Sequence, residues 1–581
     1  MGWLQDFGYT HCFYVAGGNV MHMLEAASHI FTCVPFIHEI GAAIATDYFN
    51  ESAKNGEKAF LLVTAGPGLT NAITAIAGAW TESREMLIIG GQAKSSEVSR
   101  GQYRQIGFQE LDGETLCKPI TKLSKRLEER ISKQELYEAA VKSWSDRKGP
   151  VFLEICLDVS TQPSIQETQS NFATNTNTRL EPNQDDILSI AEELKQSKRP
   201  LILLGGGISR KTDLQELIKL NIPIATTFNG ADRVGFEYEY FAGRPNWYGS
   251  RWANLLIQQS DLIIAFGTRL GIMQVGYNWK EFAPNAKVIQ IDIDKAELTK
   301  GFPVLHKAIN ADANSTLERL LKVIADEILQ IQEWQTFVKL LRNDLAHPEQ
   351  INKAHEPYLE AMTFVHLVSS MSRLSDIFVP CSSGAAGYEG AMRVLFSKRG
   401  QLIITSHALA SMGYGLSGAI GASLANPSSR TLLFEGDGGF AQNLQELGTA
   451  KANNLNLKIF IMDNQGYQSI RGNQKSAFNS HYVGCDRDTG LFLPNWKTIA
   501  EAFDLEVMEL NRETFPSSKF TKLFESSSPV VFVVKIDPDQ TYWPRILSRK
   551  NHDGSIVSNP LHRMEPPLTR AQEKKYLPYL P

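Results

Sequence analysis

Long hydrophobic runs are missing from this sequence. No stretch approaches the roughly 20 apolar residues that cross a bilayer, and Met1-Gly2-Trp3 opens no secretory signal. The chain is therefore not expected to span or enter a membrane. Cysteine is scarce: six in 581 residues, at 12, 33, 117, 156, 381 and 485, with no C-x-x-C pair. That scatter fits reduced thiols in a cytoplasmic protein and supplies neither a disulfide framework nor a zinc site. Basic runs are also absent and the formal net charge is −5, which argues against nucleic acid as the principal partner. Hydrophobic residues at 43% and charged ones at 21% describe an ordinary globular protein. The length exceeds what one core supports and implies three domains.

Two shifts in composition divide the chain. Ser160 to Asp186 is rich in Thr, Asn and Gln and poor in large apolar residues, and Arg342 to Tyr358 is a weaker break of the same kind. The expected segments are a first domain over 1–160, a linker over 161–186, a central domain over 187–342, a linker over 343–358, and a last domain with its tail over 359–581. In each domain short apolar runs end in Gly, Thr or Asp and are separated by helix-length stretches. Examples are AFLLVTAGPG and EMLIIGGQA in the first domain, LILLGGGIS and LIIAFGTRLG in the second. This alternation predicts α/β architecture with three doubly wound parallel sheets.

The stretch from Thr431 to Tyr467 carries the most chemistry. The apolar run Thr431 to Phe434 stops at Gly436-Asp437-Gly438-Gly439, and a helix-like segment follows with Leu444, Leu447 and Ala450 at spacings of three. A second apolar run, Leu457 to Met462, stops at Asp463-Asn464-Gln465-Gly466. A strand–helix–strand unit of this length places its strands parallel, so Asp437 and Asn464 meet at the carboxyl edge where α/β sheets bind ligands. The glycines let backbone amides approach an anion. A carboxylate, an amide oxygen and a nearby carbonyl make a hard-oxygen set suited to Mg²⁺ held partly by a diphosphate. A bare tight turn after a buried strand is the plainer alternative for Gly-Asp-Gly-Gly. The spacing lacks the G-x-G-x-x-G of a dinucleotide fingerprint.

With these motifs the chain resembles the thiamine diphosphate (ThDP) enzymes, and within them the acetolactate synthase-like group. The resemblance implies that Asp437, the Asn464 side chain and the Gly466 carbonyl ligate the metal, and that Gly438, Gly439 and Tyr467 lie along the diphosphate. Near the N-terminus, YVAGGNVMHMLEAA leads to FIHEIGAAIATDYFN, where Glu39 matches the glutamate that touches the cofactor pyrimidine. Thr64-Ala65-Gly66-Pro67-Gly68-Leu69-Thr70-Asn71 matches the pyrimidine-side loop, with Pro67 and Asn71 as cofactor contacts. In SHALASMGYGLSGAIGASLANP, Met412 matches the apolar residue that bends the cofactor. Gly18 and Gln109 are the candidates for the substrate side. His38, beside Glu39, fits a proton-transfer group or a satisfied buried histidine equally well.

What the resemblance implies about activity is a carboligase that decarboxylates a 2-keto acid such as pyruvate and transfers the two-carbon unit to a carbonyl acceptor. A plain 2-keto acid decarboxylase and a non-catalytic ThDP-binding regulatory protein are the alternatives. The expected assembly is a homodimer or a dimer of dimers, with Glu39 and Asp437 meeting across a subunit boundary. Flavin is left open. Gly205-Gly206-Gly207 and Asp292-Ile293-Asp294 could contact FAD, yet glycine turns and strand-end aspartates are common in such domains. The chain departs from the group at Ser383-Gly384-Ala385-Ala386-Gly387, whose small residues are expected to leave room beside Met412 for an acceptor at least as large as pyruvate.

Overall fold

A computed structural model describes residues 1–165, 179–325 and 327–580. The first sheet is built from β1 (Tyr9–Tyr14), β2 (Thr32–Pro35), β3 (Lys58–Val63), β4 (Met86–Gln92), β5 (Leu123–Leu127) and β6 (Pro150–Cys156). The second holds β7 (Pro200–Leu204), β8 (Ile224–Thr226), β9 (Leu262–Phe266), β10 (Lys287–Asp292) and β11 (Lys307–Asn310). The third holds β12 (Ile377–Pro380), β13 (Leu402–Ile403), β14 (Thr431–Gly436), β15 (Leu457–Asp463), β16 (Glu506–Leu510) and β17 (Val530–Lys535).

Strand order is 2-1-3-4-6-5 in the first sheet, 11-10-9-7-8 in the second and 13-12-14-15-17-16 in the third. Neighbouring strands run parallel, as in β1 with β3, β7 with β9 and β14 with β15. The chain therefore has the α/β class and the three doubly wound sheets expected from its alternation. The central strands β4, β7 and β9 are buried along their whole length. That is why their sequences read as unbroken apolar runs: helices cover both faces of a parallel sheet.

The compact units do not follow the chain linearly. One unit comprises residues 1–177, 376–384 and 404–534, and a second comprises 178–375, 385–403 and 535–581. In the second unit the tail joins the central core, where Ile546, Leu561, Met564 and Tyr576 pack among residues of the second sheet. The Gln259 side-chain amide also donates to the Tyr576 carbonyl at 2.9 Å. Residues 166–178 of the expected linker lie outside the described residues, and the helix Gln184–Gln196 begins before the expected 187 boundary. The helix Gln332–Leu345 likewise runs three residues past the expected 342 boundary.

Within the first unit the first and third sheets are joined by two helices, Glu39–Ser52 and Tyr414–Ala425. Their backbones come close: a Cβ on Gly421 would lie 2.2 Å from the Ala45 carbonyl oxygen. Arg84 adds a buried ion pair to Asp47 at 3.2 Å and donates to the Thr405 carbonyl. The small residues of IGAAIATDYF and YGLSGAIGAS thus serve helix packing.

The expectation of room along Ser383–Gly387 holds at one residue and fails at others. Gly384 (φ +103°) has nothing within 4 Å of where its Cβ would be, whereas Ala385, Ala386 and Gly387 do not border open space. They belong to a buried π-helical turn, Ala385–Gly390, with Ala386 only 2% exposed. Small residues mark tight packing as readily as they mark a cavity, and sequence does not separate the two.

Candidate active site

Register places the acids of the third sheet. Gly436 of β14 pairs with Met462 of β15, so Asp437 and Asp463 open the two strand-end turns side by side. Asp437 is 1% exposed, and its carboxylate accepts from the Gly438 amide at 2.7 Å and the Gly466 amide at 3.0 Å. Burial, and then the Asp463 carboxylate, push its pKa up to about 8 against the pull of those amides. A cation beside the two acids would relieve that cost. Asn464 is buried beside them. Its amide nitrogen donates to Gln468 at 2.7 Å, while its Oδ1 has no hydrogen-bond partner. An orphaned amide oxygen next to a buried carboxylate is the donor set that a hard divalent ion completes. The residues present therefore fit Mg²⁺.

The turn after β15 is shaped by close approach. Gly466 has φ +139°, and a Cβ there would lie 2.2 Å from the Cys485 carbonyl oxygen. That carbonyl accepts from the Tyr467 amide at 2.8 Å. The Tyr467 ring in turn covers Gly438, where a Cβ would fall 2.4 Å from ring carbon Cδ1. Gly438, Gly466 and Tyr467 thus form one packed group around Asp437. Gly439 faces Glu435 instead, its nearest side-chain neighbour.

Met412 lies on the turn before Tyr414–Ala425 and is 37% exposed. A core methionine would be buried, so Met412 is not a core residue. Gly413 (φ +82°) turns the chain into the helix, and its carbonyl accepts from the Asn443 amide at 2.7 Å. Glu435 seats that helix from beneath, accepting from the Gly415 and Leu416 amides at 3.2 and 3.0 Å. Burial pushes the Glu435 pKa up to about 7.

On the first sheet, Glu39 opens the helix Glu39–Ser52, with its side chain 12% exposed. Its Oε2 accepts from the Asn71 amide at 2.9 Å. Asn71 stands in the second turn of the helix Pro67–Thr81, which begins at Pro67 in the position where a missing N–H costs nothing. A Cβ on Gly68 would lie 2.8 Å from Thr64 Cγ2 and 3.5 Å from Glu39 Oε1. The Thr64 hydroxyl is buried without a partner. His38 is the helix cap: its Nδ1 accepts from the Ile40 amide at 3.2 Å. Its side chain is 44% exposed, so it is a capping residue and not a buried histidine.

The structure thus gathers Glu39, Pro67 and Asn71 at one carboxyl edge and Asp437, Gly438, Asn464, Gly466 and Tyr467 at the other. Gln109 joins the first group through its backbone, since a Cβ on Gly66 would lie 2.5 Å from the Gln109 carbonyl oxygen. Gly18 is exposed, in a short turn after β1, with nothing within 4 Å of where its Cβ would be. Glu435, Asn443, Glu446 and Cys485 contact the candidate residues or the backbone beside them but were not singled out from sequence, and Thr64 was read only as part of its loop. Only Glu435 had a local signal, as an acid inside the apolar run TLLFEG.

In the second unit the candidate flavin residues have internal roles. The Gly205 amide donates to Phe266 and the Gly207 amide to Gly267, both at 2.9 Å. Asp292 accepts from the Asp294 amide, and Asp294 caps the helix Lys295–Thr299 by accepting from Ala296, each at 2.9 Å. The amides of Gly205 and Gly207 are therefore engaged within the fold.

Comparison with known proteins agrees with this geometry. Residues 1–116 match the thiamine pyrophosphate enzyme N-terminal TPP binding domain, 187–320 the central domain, and 385–534 the C-terminal TPP binding domain. The chain is 30% identical over 542 residues to the acetolactate synthase isozyme 1 large subunit of Escherichia coli (strain K12), covering 92% of each chain. Identity to the isozyme 2 large subunit of the same organism is 29% over 555 residues, 94% of this chain and 96% of that one. The acetolactate synthase large subunit of Lactococcus lactis subsp. lactis (strain IL1403) is 28% identical over 573 residues, 95% of this chain and 94% of that one. Among the described residues no helix is long and apolar enough to cross a membrane.

Proposed function

The chain belongs to the thiamine pyrophosphate enzymes, in the acetolactate synthase-like group, and from that premise we propose a ThDP- and Mg²⁺-dependent carboligase. It decarboxylates a 2-keto acid, pyruvate first, and transfers the two-carbon unit to a carbonyl acceptor. The observation that carries this reading is the retention of both halves of the machinery in one chain. The Glu39–Asn71 pair is kept alongside the Asp437–Asn464 oxygen set. A protein that only bound the cofactor would have no use for the first half.

When bound, ThDP supplies a carbanion sink at its thiazolium C2. Asp437 and Asn464, with the Gly466 carbonyl, would hold Mg²⁺, and Gly438, Gly439 and Tyr467 would border the diphosphate. Met412 would support the thiazolium. Glu39 would hold a proton against the pyrimidine ring nitrogen, with Asn71 committing one of its oxygens so that the other faces the ring. Gln109 and Gly18 are the substrate-side residues of this reading. The domains proposed are centred on 1–160, 187–342 and 359–581, with the helices Gln184–Gln196 and Gln332–Leu345 extending the central one and the tail after Lys535 packing on it.

Exposed apolar side chains support an assembly. Tyr103, Ile106 and Phe108 on the segment after β4, with Ile470, Phe478 and Val483 after β15, all stand open to solvent, Phe108 at 82%. An interface between copies would cover apolar side chains of this kind. A homodimer, or a dimer of dimers, would cover it and exclude water from the site.

Product analysis tests the reading. Purified chain with ThDP, Mg²⁺ and pyruvate, alone and with aldehyde or keto-sugar acceptors, should give a ligated product. Acetaldehyde and CO₂ as the sole products with every acceptor would replace carboligation with simple decarboxylation.

A further inference from the structure

Glu446 is fully buried, nine residues beyond Asp437, at the end of the short turn Leu444–Glu446. Its carboxylate accepts from the Ile37 amide at 3.4 Å, the His38 amide at 3.1 Å and the Thr449 hydroxyl at 2.6 Å. Ile37 and His38 are the two residues before Glu39. The fit is close, because a Cβ on Gly41 would lie 2.6 Å from Glu446 Oε1. Three residues earlier, Asn443 donates to the Gly413 carbonyl at 2.7 Å, just after Met412.

Burying an acid is costly unless its oxygens are satisfied, and two backbone amides and the Thr449 hydroxyl satisfy this one. Those bonds are directional, whereas the surrounding Gly and Ala contacts are not. A catalytic carboxylate must be held within about half an ångström of its working position. Asn71 orients the Glu39 carboxylate, but it does not set the backbone from which Glu39 projects.

We propose that Asn443–Glu446 is a positioning clamp, in which Glu446 sets the backbone carrying Glu39 while Asn443 sets the turn carrying Met412. The proposal rests on the roles given above to Glu39 and Met412. Neither clamp residue touches the reacting atoms.

The test uses the full chain loaded with ThDP and Mg²⁺. Glu446→Ala should slow deuterium exchange at the ThDP C2 position about 10-fold or more while calorimetric ThDP affinity stays within about 3-fold, since misplacement of a catalytic group costs rate before binding. Glu446→Gln keeps the volume and one acceptor oxygen, so its exchange rate should fall between the two. Wild-type exchange in both variants would overturn the clamp. So would losses of ThDP affinity equal to the losses of exchange, which describe a merely structural residue. If Glu446→Ala does not fold, Glu446→Gln decides alone, with a slowing of about 3-fold or more expected from one lost bond. Glu39→Gln run alongside separates the two failures. Wild-type exchange in that variant overturns the activator reading itself, whereas slow exchange there with normal Glu446 variants overturns only the clamp.

Discussion

The first and third sheets share one strand order, second-first-third-fourth-sixth-fifth, yet their carboxyl edges differ in chemistry. In both, the third strand ends beside the first at the point where the order reverses, the place where such sheets bind ligands. After β3 the chain runs Thr64-Ala65-Gly66-Pro67 into a helix and supplies no charge of its own. Its carboxylate, Glu39, arrives from the segment after β2 and takes a single amide from Asn71. After β14 the chain supplies Asp437 at once, fully buried, with Asp463 beside it. A partly open carboxylate can share a proton with a neutral ring, whereas a buried carboxylate with a second acid beside it is suited to a cation. Topology therefore says where a ligand sits, and a few side chains say which part of it sits there.

The comparison breaks most visibly at Asp437. Asp437→Ala should abolish retention of Mg²⁺ and ThDP, because one carboxylate supplies most of the site's charge. Near-wild-type ThDP affinity by calorimetry would remove the metal assignment. Glu39→Gln should do the opposite, keeping ThDP bound while slowing C2 exchange on the order of 10²-fold. NMR-monitored exchange at the normal rate would show that the first sheet's acid is not the activator.

Mixing the two inactive variants sharpens the contrast further. If the two edges meet across a subunit boundary, random hybrid dimers should recover about a quarter of wild-type activity. No recovery, or a fully active monomer at high dilution, would place both halves of a site in one chain. Gly466→Ala is the smaller perturbation. Its Cβ meets the Cys485 carbonyl at a positive φ, so stability should fall by about 3 kcal/mol with a matching loss of metal affinity. An unchanged thermal midpoint would mean that the turn is not under constraint. The second sheet is checked by the absorbance of freshly purified protein: no flavin band is expected, given the engaged amides of Gly205 and Gly207.

Much of this was readable before any coordinates. The alternation of apolar runs and helix-length segments identified three parallel sheets, because a strand buried on both faces must be apolar throughout. Asp437 and Asn464 were readable as a pair because parallel strands 20–30 residues apart end on one edge. His38 was not readable, since a helix cap and a proton-transfer histidine look the same in sequence. Ala386 was misread, since smallness is compatible with a void and with close packing.

By itself, then, the sequence determined the fold class, the family resemblance and the residues at each strand end, all of which depend on local pattern and spacing. Only the tertiary structure decided that Glu446 holds the Glu39 backbone, that the tail after Lys535 joins the central core, and that Glu435 supports the Met412 helix. Those contacts join residues tens to hundreds of positions apart. A buried polar group takes whichever partner packing brings to it, and nothing in the local pattern records that partner.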